Sequence, residues 1–236
     1  MTAEEVMNEL AKNASDVYAV NLQWFFKTGP GEYGEGDQFI GVKVPLIRKV
    51  CKEFTSLPLS EAAKLIESPI HEHRMAGLII LNQQYPKSTN QKAIYQLFID
   101  ELAKGHINNW DLIDVNCRGI VGEYLWHKRA KLFELAKSSS MWERRVAIVS
   151  TFPYIAAGDA STSLELAELL LHDKEDLMHK AVGWTLREVG KRVDTQLLTG
   201  FLDEHAHDMP RTTLRYAIEH LPPGIRTYYL QMKTNS

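Results

Sequence analysis

Two residues that could grip a ligand lie four positions apart in the stretch HINNWDLID, residues 106–114. In a helix this spacing places the indole of Trp110 and the carboxylate of Asp114 on one face, one turn apart. An indole offers a broad apolar surface, and a carboxylate stabilises nearby positive charge. The pair is therefore either a core residue beside a solvated acid or part of a surface that binds something.

Two later stretches bring similar side chains to helical positions. MWERRVAIVS carries Arg144 and Arg145 at its start, and HKAVGWTLREVG places Lys180 and Trp184 four positions apart. Taken one at a time, such residues have ordinary uses, because a tryptophan usually packs, an aspartate near a helix start usually caps, and arginines usually face solvent. The question is whether the fold brings them together.

Helical periodicity dominates the chain, and alternating strand patterns are nearly absent. Apolar residues recur at i, i+3, i+4 and i+7 in segments such as QKAIYQLFIDELAKG and SLELAELLLHD. The one long break is residues 28–45, whose five glycines and two prolines predict a loop. One or two helices are expected before it, in residues 1–27.

A related helix recurs from residue 46 onward. Its spacings are 40, 31, 35 and 32 residues when the repeats are anchored on Arg74, Asp114, Arg145, Lys180 and Thr212. This is the period of helical-hairpin solenoids, whose second helices lie side by side on one concave surface. The sequence thus predicts a single all-α domain over residues 1–236: a right-handed α-solenoid of five or six HEAT-like helix pairs in residues 46–225, with a tail at 226–236.

In such a solenoid, equivalent positions of successive second helices are neighbours. Trp110 and Asp114 would then meet Arg145 and Trp184 in a single patch holding two indoles, a carboxylate and several cations. Capping and packing do not require these residues to recur at one repeat offset in three consecutive repeats. The recurrence therefore favours a functional site.

Composition bounds the classes of function. The chain of 236 residues is 44% hydrophobic and carries a net charge of −3, which argues against a general nucleic-acid binder but permits a basic stripe on an acidic body. Cys51 and Cys117 have no metal-ligand spacing and are typical of reduced thiols, with a disulfide left open. Because no basic leader or long apolar run occurs, we expect a cytoplasmic protein without a membrane partner.

The motifs NWDLID, WERRVAI and KAVGWTLREVGK, with FIGVKVPLIRKVCK after the loop, resemble the AlkD family of HEAT-like DNA glycosylases over roughly residues 20–220. The resemblance implies a monofunctional glycosylase that removes alkylated purines from double-stranded DNA in base excision repair. Carried over by position, Trp110, Asp114 and Trp184 match the catalytic cluster, and Arg145 matches the arginine beside it. It also implies that the lesion stays in or near the duplex.

The resemblance gives these groups a chemistry. A purine alkylated at N7 or N3 is positively charged and leaves as a neutral base. The positive charge that must be stabilised then lies on the sugar, which develops oxocarbenium character. The carboxylate of Asp114 would stabilise that cation and orient the attacking water. The indoles of Trp110 and Trp184 would attract the positive charge, and Arg145 would bind a phosphate or hold Asp114.

Binding to DNA also needs cations that contact phosphates. The candidates expected at the concave face are Arg187, Lys43, Lys180, Arg144 and Arg48, with Arg74 a weaker one. Three aromatic residues before the loop, Trp24, Phe25 and Phe26, are expected either to abut the strand opposite the lesion or to pack in the core.

No metal, cofactor or second subunit is expected. The H-x-H pairs at His71 and His73 and at His205 and His207 lack a cysteine or carboxylate at ligand spacing. The main alternative to a glycosylase is a non-enzymatic HEAT-type scaffold that binds DNA or a protein in its groove.

Overall fold

The fold is all-α, as a computed structural model that describes residues 1–232 shows. Within that range there is no strand beyond an isolated parallel bridge between Gln38 and Ile70. The predicted all-α class is therefore confirmed. No helix in the described part of the chain is long and apolar enough to cross a membrane.

Contacts group the chain into two compact units, residues 1–120 and a second unit that starts at Val121. That the whole chain is one domain stays a prediction. The α-helices of the first unit are α1 Ala3–Ala11, α2 Asp16–Phe25, α3 Val44–Cys51, α4 Leu59–Ile66, α5 His71–Gln84, α6 Gln91–Ala103 and α7 Trp110–Cys117.

The first two helices begin at polar caps. Thr2 and Glu5 form a capping box at the start of α1, and the Ser15 hydroxyl accepts the Tyr18 amide at the start of α2. Helix α1 buries Val6 and Leu10, whereas α2 buries no side chain fully. The glycine-rich segment that follows has no regular secondary structure until α3 begins at Val44.

The first unit has the layering of helical-hairpin repeats. Helix α4 packs on α5 as a pair, the second helices α5 and α7 touch each other, and the first helices α4 and α6 do the same. Gly77 permits the close approach of α5 to α4, because a Cβ there would lie 2.8 Å from the side chain of Ile66. Helix α7 is therefore held against α5, and the two helices share a surface.

The second unit repeats this layering: α8 packs on α9, α9 on α12, and α12 on α14. A Cβ at Gly183 of α12 would lie 2.5 Å from the carbonyl oxygen of Thr213, so glycine is needed at this crossing. The α-helices of the second unit are α8 Ala130–Ala136, α9 Met141–Val149, α10 Phe152–Ala156, α11 Ser161–Leu169, α12 Asp176–Arg192, α13 Thr195–His205, α14 Arg211–Ala217 and α15 Pro223–Gln231.

The five repeat anchors lie in five different helices of this pattern. Arg74 is in α5, Asp114 in α7, Arg145 in α9, Lys180 in α12 and Thr212 in α14. The predicted recurrence of a second helix therefore matches the helices that pack side by side within each unit.

The C-terminus differs from its prediction. The predicted tail at 226–236 is helical over residues 226–231, because α15 starts with a proline in its first turn and buries Tyr229. The Tyr229 hydroxyl donates to Asp203 (2.7 Å) and ties this helix to α13. Residues 233–236 of the predicted tail lie outside the described residues.

Candidate functional site

Trp110 and Asp114, the first predicted pair, lie one turn apart on α7, as their spacing predicts. Asn109 caps the helix, its side-chain oxygen accepting the Trp110 amide at 2.8 Å, so that α7 begins at Trp110 itself. Asp114 follows one turn later, and both side chains are half-buried. The helix thus presents an indole and a carboxylate on one face, each with part of its surface open.

The glycine-rich loop and the end of α2 hold the indole in place. The Trp110 Nε1–H donates to the hydroxyl of Tyr33 at 3.3 Å. The rings of Phe25 and Phe26 lie 6.1 and 5.5 Å from that of Trp110, centroid to centroid. Both the indole plane and its N–H are therefore fixed, which is what a preorganised binding surface requires.

Beside Trp110, a buried ion cluster joins α7 to α5 and to the loop. His71 bridges two carboxylates: its Nε2 lies 2.9 Å from Asp111 and its Nδ1 3.3 Å from Asp37. Arg74 donates to the other oxygen of Asp37 at 2.6 Å. Asn108 also donates to Asp37, at 3.2 Å. Each buried charge therefore faces an opposite charge, as burial demands.

The cluster shifts the pKa values of its members. Burial alone would lower the pKa of His71, but attraction to Asp111 and hydrogen bonds to Asp111 and Asp37 raise it to about 9. The imidazole is therefore protonated at neutral pH and donates from both nitrogens. Burial would raise the pKa of Asp37, yet the hydrogen bond from His71 and the charge of Arg74 outweigh it and hold that pKa below its usual value.

The other half of the H-x-H pair behaves in the opposite way. His73 is buried beside the Ser68 hydroxyl, which lies 2.9 Å from its Nδ1. Burial lowers the pKa of His73 to about 4. Two histidines in the first turn of α5 thus carry opposite protonation states at neutral pH.

The end of the loop is fastened to α5 by Glu72. Its buried carboxylate accepts the backbone amides of Ile40 (3.1 Å), Gly41 (2.8 Å) and Val42 (3.1 Å). Gly41 has a φ of +78°, and a Cβ there would lie 2.0 Å from the Ser15 carbonyl oxygen at the start of α2. Helix α2, the loop and α5 are therefore packed into one body next to Trp110.

Several residues of this site were not predicted from the sequence. Tyr33, Asp37 and Asp111 carry no repeat signature, and only their polarity within a loop or a first helical turn could have drawn notice. Arg74 was a weak candidate for phosphate binding, but it is 5% exposed and bound to Asp37, so it serves the cluster instead. Phe26 is a core residue, whereas Trp24 is 84% exposed.

The second unit holds the other two members of the predicted catalytic cluster. Arg145 on α9 is 4% exposed, and its guanidinium donates to the carbonyl of Leu177 in the first turn of α12 at 2.6 Å. Trp184 on α12 is half-buried and packs on Phe152, 4.6 Å between ring centroids. Burial of Arg145 favours a positioning role over phosphate binding. That these residues join Trp110 and Asp114 in one patch stays a prediction.

Three cations predicted to contact DNA in the second unit have acidic partners. Arg144 binds Asp173 through two nitrogens, at 2.6 and 3.1 Å. Lys180 lies 2.7 Å from Asp176. Arg187 is paired with Glu219 and lies 3.7 Å from Glu188. Each would have to exchange a carboxylate for a phosphate in order to bind DNA.

The two candidates in the first unit are exposed. Lys43 lies at the start of α3 with its ammonium group 5.5 Å from the ring centre of Tyr18, and Arg48 is on the same helix. Among the described residues neither is in an ion pair with a carboxylate. They are thus available to phosphate without any prior exchange.

The donor chemistry of the described chain includes no group of three or more His, Cys, Asp or Glu side chains that could hold a metal ion. Cys51 and Cys117 are buried and form no disulfide. Burial raises the pKa of the Cys51 thiol to about 12, so it is protonated and unreactive.

Comparison with known proteins points to DNA alkylation repair. A family model described as "DNA alkylation repair enzyme" matches residues 6–221. A solved structure described as "Predicted DNA alkylation repair enzyme from Enterococcus faecalis" has a similar fold, with a TM-score of 0.68 and 15% sequence identity over 89% of this chain and 98% of that one. At this identity the likeness is one of fold. The search of curated proteins gave no match.

Proposed function

Because the chain belongs to the DNA alkylation repair enzyme family, we propose that it is a monofunctional DNA glycosylase acting on N7- and N3-alkylated purines in duplex DNA. Family membership supports a role in alkylation repair, enzymatic activity and DNA as the substrate. The observation that carries the finer proposal is the pair on α7, an indole fixed by Tyr33 and a carboxylate one turn away. Action as a monomer and a cytoplasmic location stay predictions.

The reaction divides its charge between base and sugar. The alkylated purine carries a positive charge. When the N-glycosidic bond breaks, the electron pair of that bond stays with the departing base and neutralises it. The positive charge then lies on the sugar, and water adds to C1′ and loses a proton. The Asp114 carboxylate stabilises the cationic sugar and orients or deprotonates the water.

The two acids of α7 differ in what they can do. Asp111 accepts a hydrogen bond from protonated His71 and another from the Leu112 amide at 2.8 Å, so its charge is used inside the protein. Asp114 lies one turn from Trp110 on the same face of α7, and it is half-buried where Asp111 is buried, so part of its surface is open. The difference supports Asp114, and not its neighbour, as the catalytic carboxylate.

The aromatic residues supply attraction that depends on charge. An indole face attracts a cation by ~0.5–2 kcal/mol, and a neutral damaged base gains nothing of this kind. Trp110 would provide such a face, and so would Trp184, which matches the family's catalytic cluster by position. Arg145 would act as a positioning residue that holds Asp114. The proposal therefore requires selectivity for lesions with a formal positive charge.

Selectivity among lesions tests the proposal. Three duplexes that differ only in one base, 7-methylguanine, uracil or hypoxanthine, would be incubated with excess protein, and base release and duplex binding would both be measured. We expect release of 7-methylguanine at least ~10-fold faster than that of either neutral base, a difference of about 1.4 kcal/mol in the barrier. Equal release of all three would contradict the electrostatic mechanism.

A non-enzymatic scaffold is the second candidate, and one observation favours it. Val17, Val20 and Trp24 recur on one face of α2 and are 77%, 64% and 84% exposed, an apolar surface of the kind that partners cover. Tight binding of all three duplexes without release of any base would favour this alternative.

A further inference from the structure

Beyond Cys117, helix α7 continues as a π-helix over Arg118–Gly122, in which hydrogen bonds join residues five apart instead of four. The sequence favours this change, because Leu112, Asn116 and Ile120 are all fully buried at a spacing of four residues. In an α-helix of 3.6 residues per turn, side chains at that spacing drift around the axis by about 40° per turn. A π-helix has more residues per turn and reduces this drift. Short π-helices inside α-helices are frequent at functional sites.

A side chain from α5 bonds to α7 just before this change. The Asn82 carboxamide donates from Nδ2 to the main-chain carbonyl of Val115 at 3.3 Å. In a regular α-helix that carbonyl accepts the amide of Gly119. Helices change direction where a side chain inserts into their backbone hydrogen bonds in this way. Val115 directly follows Asp114, so the contact lies next to the candidate catalytic carboxylate.

Gly119 makes room for the Asn82 side chain. A Cβ on Gly119 would lie 2.2 Å from the Oδ1 atom of Asn82 and 3.2 Å from its Cγ atom. The first distance is far inside van der Waals contact, so any larger residue at 119 would displace the carboxamide. The glycine and the asparagine therefore form one arrangement at the junction between the α- and π-helical parts of α7.

Helix α5 thus holds α7 on both sides of Asp114. Before Asp114, His71 of α5 bonds to Asp111 at 2.9 Å. After it, Asn82 of α5 bonds to the Val115 carbonyl. The first contact belongs to the buried ion cluster, whereas the second joins two uncharged groups at a separate point. Two fixed points determine the direction of the segment between them, and Asp114 lies in that segment.

We propose that Asn82 is a positioning residue for Asp114, because it holds the α-to-π junction of α7 and thereby fixes the direction of the carboxylate. The part of this inference that concerns catalysis rests on the proposed function. Groups that act on a reacting centre must be held within about 0.5 Å of their productive position. A misplacement of about 1 Å can cost roughly 100-fold in rate. A contact beside the carboxylate can therefore affect the reaction more than it affects stability.

Matched variants of α5 separate the contact with α7 from general stability. Asn82→Ala removes the bond to Val115. Gln84→Ala, at the end of the same helix, removes a carboxamide that donates to the carbonyls of Thr55 (3.0 Å) and Leu57 (2.7 Å), neither of which belongs to α7. Both variants replace a half-buried carboxamide with alanine, so a difference between them reports on α7.

The first measurement follows hydrogen exchange of the backbone amides in peptides that cover residues 110–122, and it needs no catalysis. We expect exchange in Asn82→Ala to be about 2- to 12-fold faster than in the parent, the range for loss of one hydrogen bond. Exchange in Gln84→Ala should stay at the parent's rate. Unchanged exchange in Asn82→Ala, or an equal change in both variants, would overturn the proposal.

The second measurement compares single-turnover release of 7-methylguanine with affinity for the same duplex, at a temperature at which all variants are folded. We expect Asn82→Ala to release the base at least ~5-fold more slowly than the parent and to bind the duplex within about twofold of it. Gln84→Ala should match the parent in both. Weaker binding by Asn82→Ala at an unchanged release rate would overturn the positioning role.

Gly119→Ala approaches the same contact from the other side. Its Cβ should displace the Asn82 carboxamide, so release should slow about as much as in Asn82→Ala. If both substitutions act through one contact, the double variant Asn82→Ala/Gly119→Ala should be no slower than the slower single variant. Losses that multiply in the double variant would show that the two residues act separately and would overturn the proposal.

Failure of the proposed function gives a different pattern. If the parent releases no base but exchange in α7 depends on Asn82, the holding of α7 is supported and the glycosylase is contradicted. If the parent releases base and Asn82→Ala does so at the same rate, the glycosylase stands and the positioning role is wrong.

Discussion

The two units of the chain use charge in opposite ways around their predicted site residues. In the first unit the ion pairs are buried: His71 and Arg74 neutralise carboxylates deep beside Trp110, while Lys43 and Arg48 stand exposed. In the second unit the predicted DNA-binding cations are themselves the paired groups. Lys180, for example, lies 2.7 Å from Asp176 in an exposed pair.

This difference shows why residue type alone does not identify a binding residue. A buried pair fixes the shape of its surroundings and is costly to break, whereas a partly exposed pair contributes little and can exchange partners with a phosphate. The first unit therefore offers a rigid aromatic surface, and the second offers cations that become available only when DNA displaces an acid. The following tests examine each side of this contrast.

Breaking the buried cluster should have the largest effect. We expect Asp37→Asn to lower the free energy of unfolding by about 3–5 kcal/mol, because it leaves His71 and Arg74 as buried cations with too little negative charge. Urea denaturation measures this. In the second unit, Asp176→Asn removes the partner of Lys180 from an exposed pair and should cost no more than about 1 kcal/mol. Similar losses in the two variants would contradict the contrast.

The pH dependence of stability should show the cluster directly. The pKa of His71 is raised to about 9 when folded, so its contribution is complete below its unfolded pKa near 6.5 and is lost as pH rises towards 9. His73 has a folded pKa of about 4, so its contribution is complete above about 6.5 and is lost as pH falls towards 4. We expect Tm to be highest near pH 6.5. His71→Gln should remove the decline on the alkaline side, and a decline that persisted would argue against the assignment.

The smallest effect is expected in the salt dependence of DNA binding. Replacing Lys43 or Arg48 with glutamine should each reduce the slope of log K against log salt by about 1, as loss of one phosphate contact does. Lys180→Gln should reduce it by less, because binding through Lys180 first requires release of Asp176. Fluorescence anisotropy at several salt concentrations would measure all three. A larger change for Lys180 would reverse the contrast between the units.

Much of the fold could be predicted from the sequence. The 3.6-residue periodicity predicted an all-α chain, and the repeat spacing located the helices that pack side by side within each unit. Trp110 and Asp114 fall on one helical face because their spacing is local. The end of the chain was not predicted, because the tyrosine that anchors α15 makes its hydrogen bond with Asp203, 26 residues earlier.

The surroundings of the site could not be predicted in the same way. The glycine-rich sequence around Asp37 predicts only a loop, yet the hydrogen-bond partners of Asp37 include His71 and Asn108, which are 34 and 71 residues away. Such pairings depend on how the loop folds back onto α5, and no local pattern encodes that. The H-x-H pair likewise gave no hint that one histidine would be charged and the other neutral, since burial and neighbouring carboxylates decide the difference.

Single-turnover release of 7-methylguanine by Asp114→Asn tests the central claim most directly, namely that this carboxylate of α7 acts on the substrate. Asp100→Asn, an exposed acid on α6 bonded to Gln96, serves as the control. The account predicts at least a ~10-fold loss of rate in Asp114→Asn, about 1.4 kcal/mol of transition-state stabilisation, measured on variants that are folded at the assay temperature, with Asp100→Asn as active as the parent. A rate for Asp114→Asn within about twofold of the parent, a barrier difference near 0.4 kcal/mol, would contradict it.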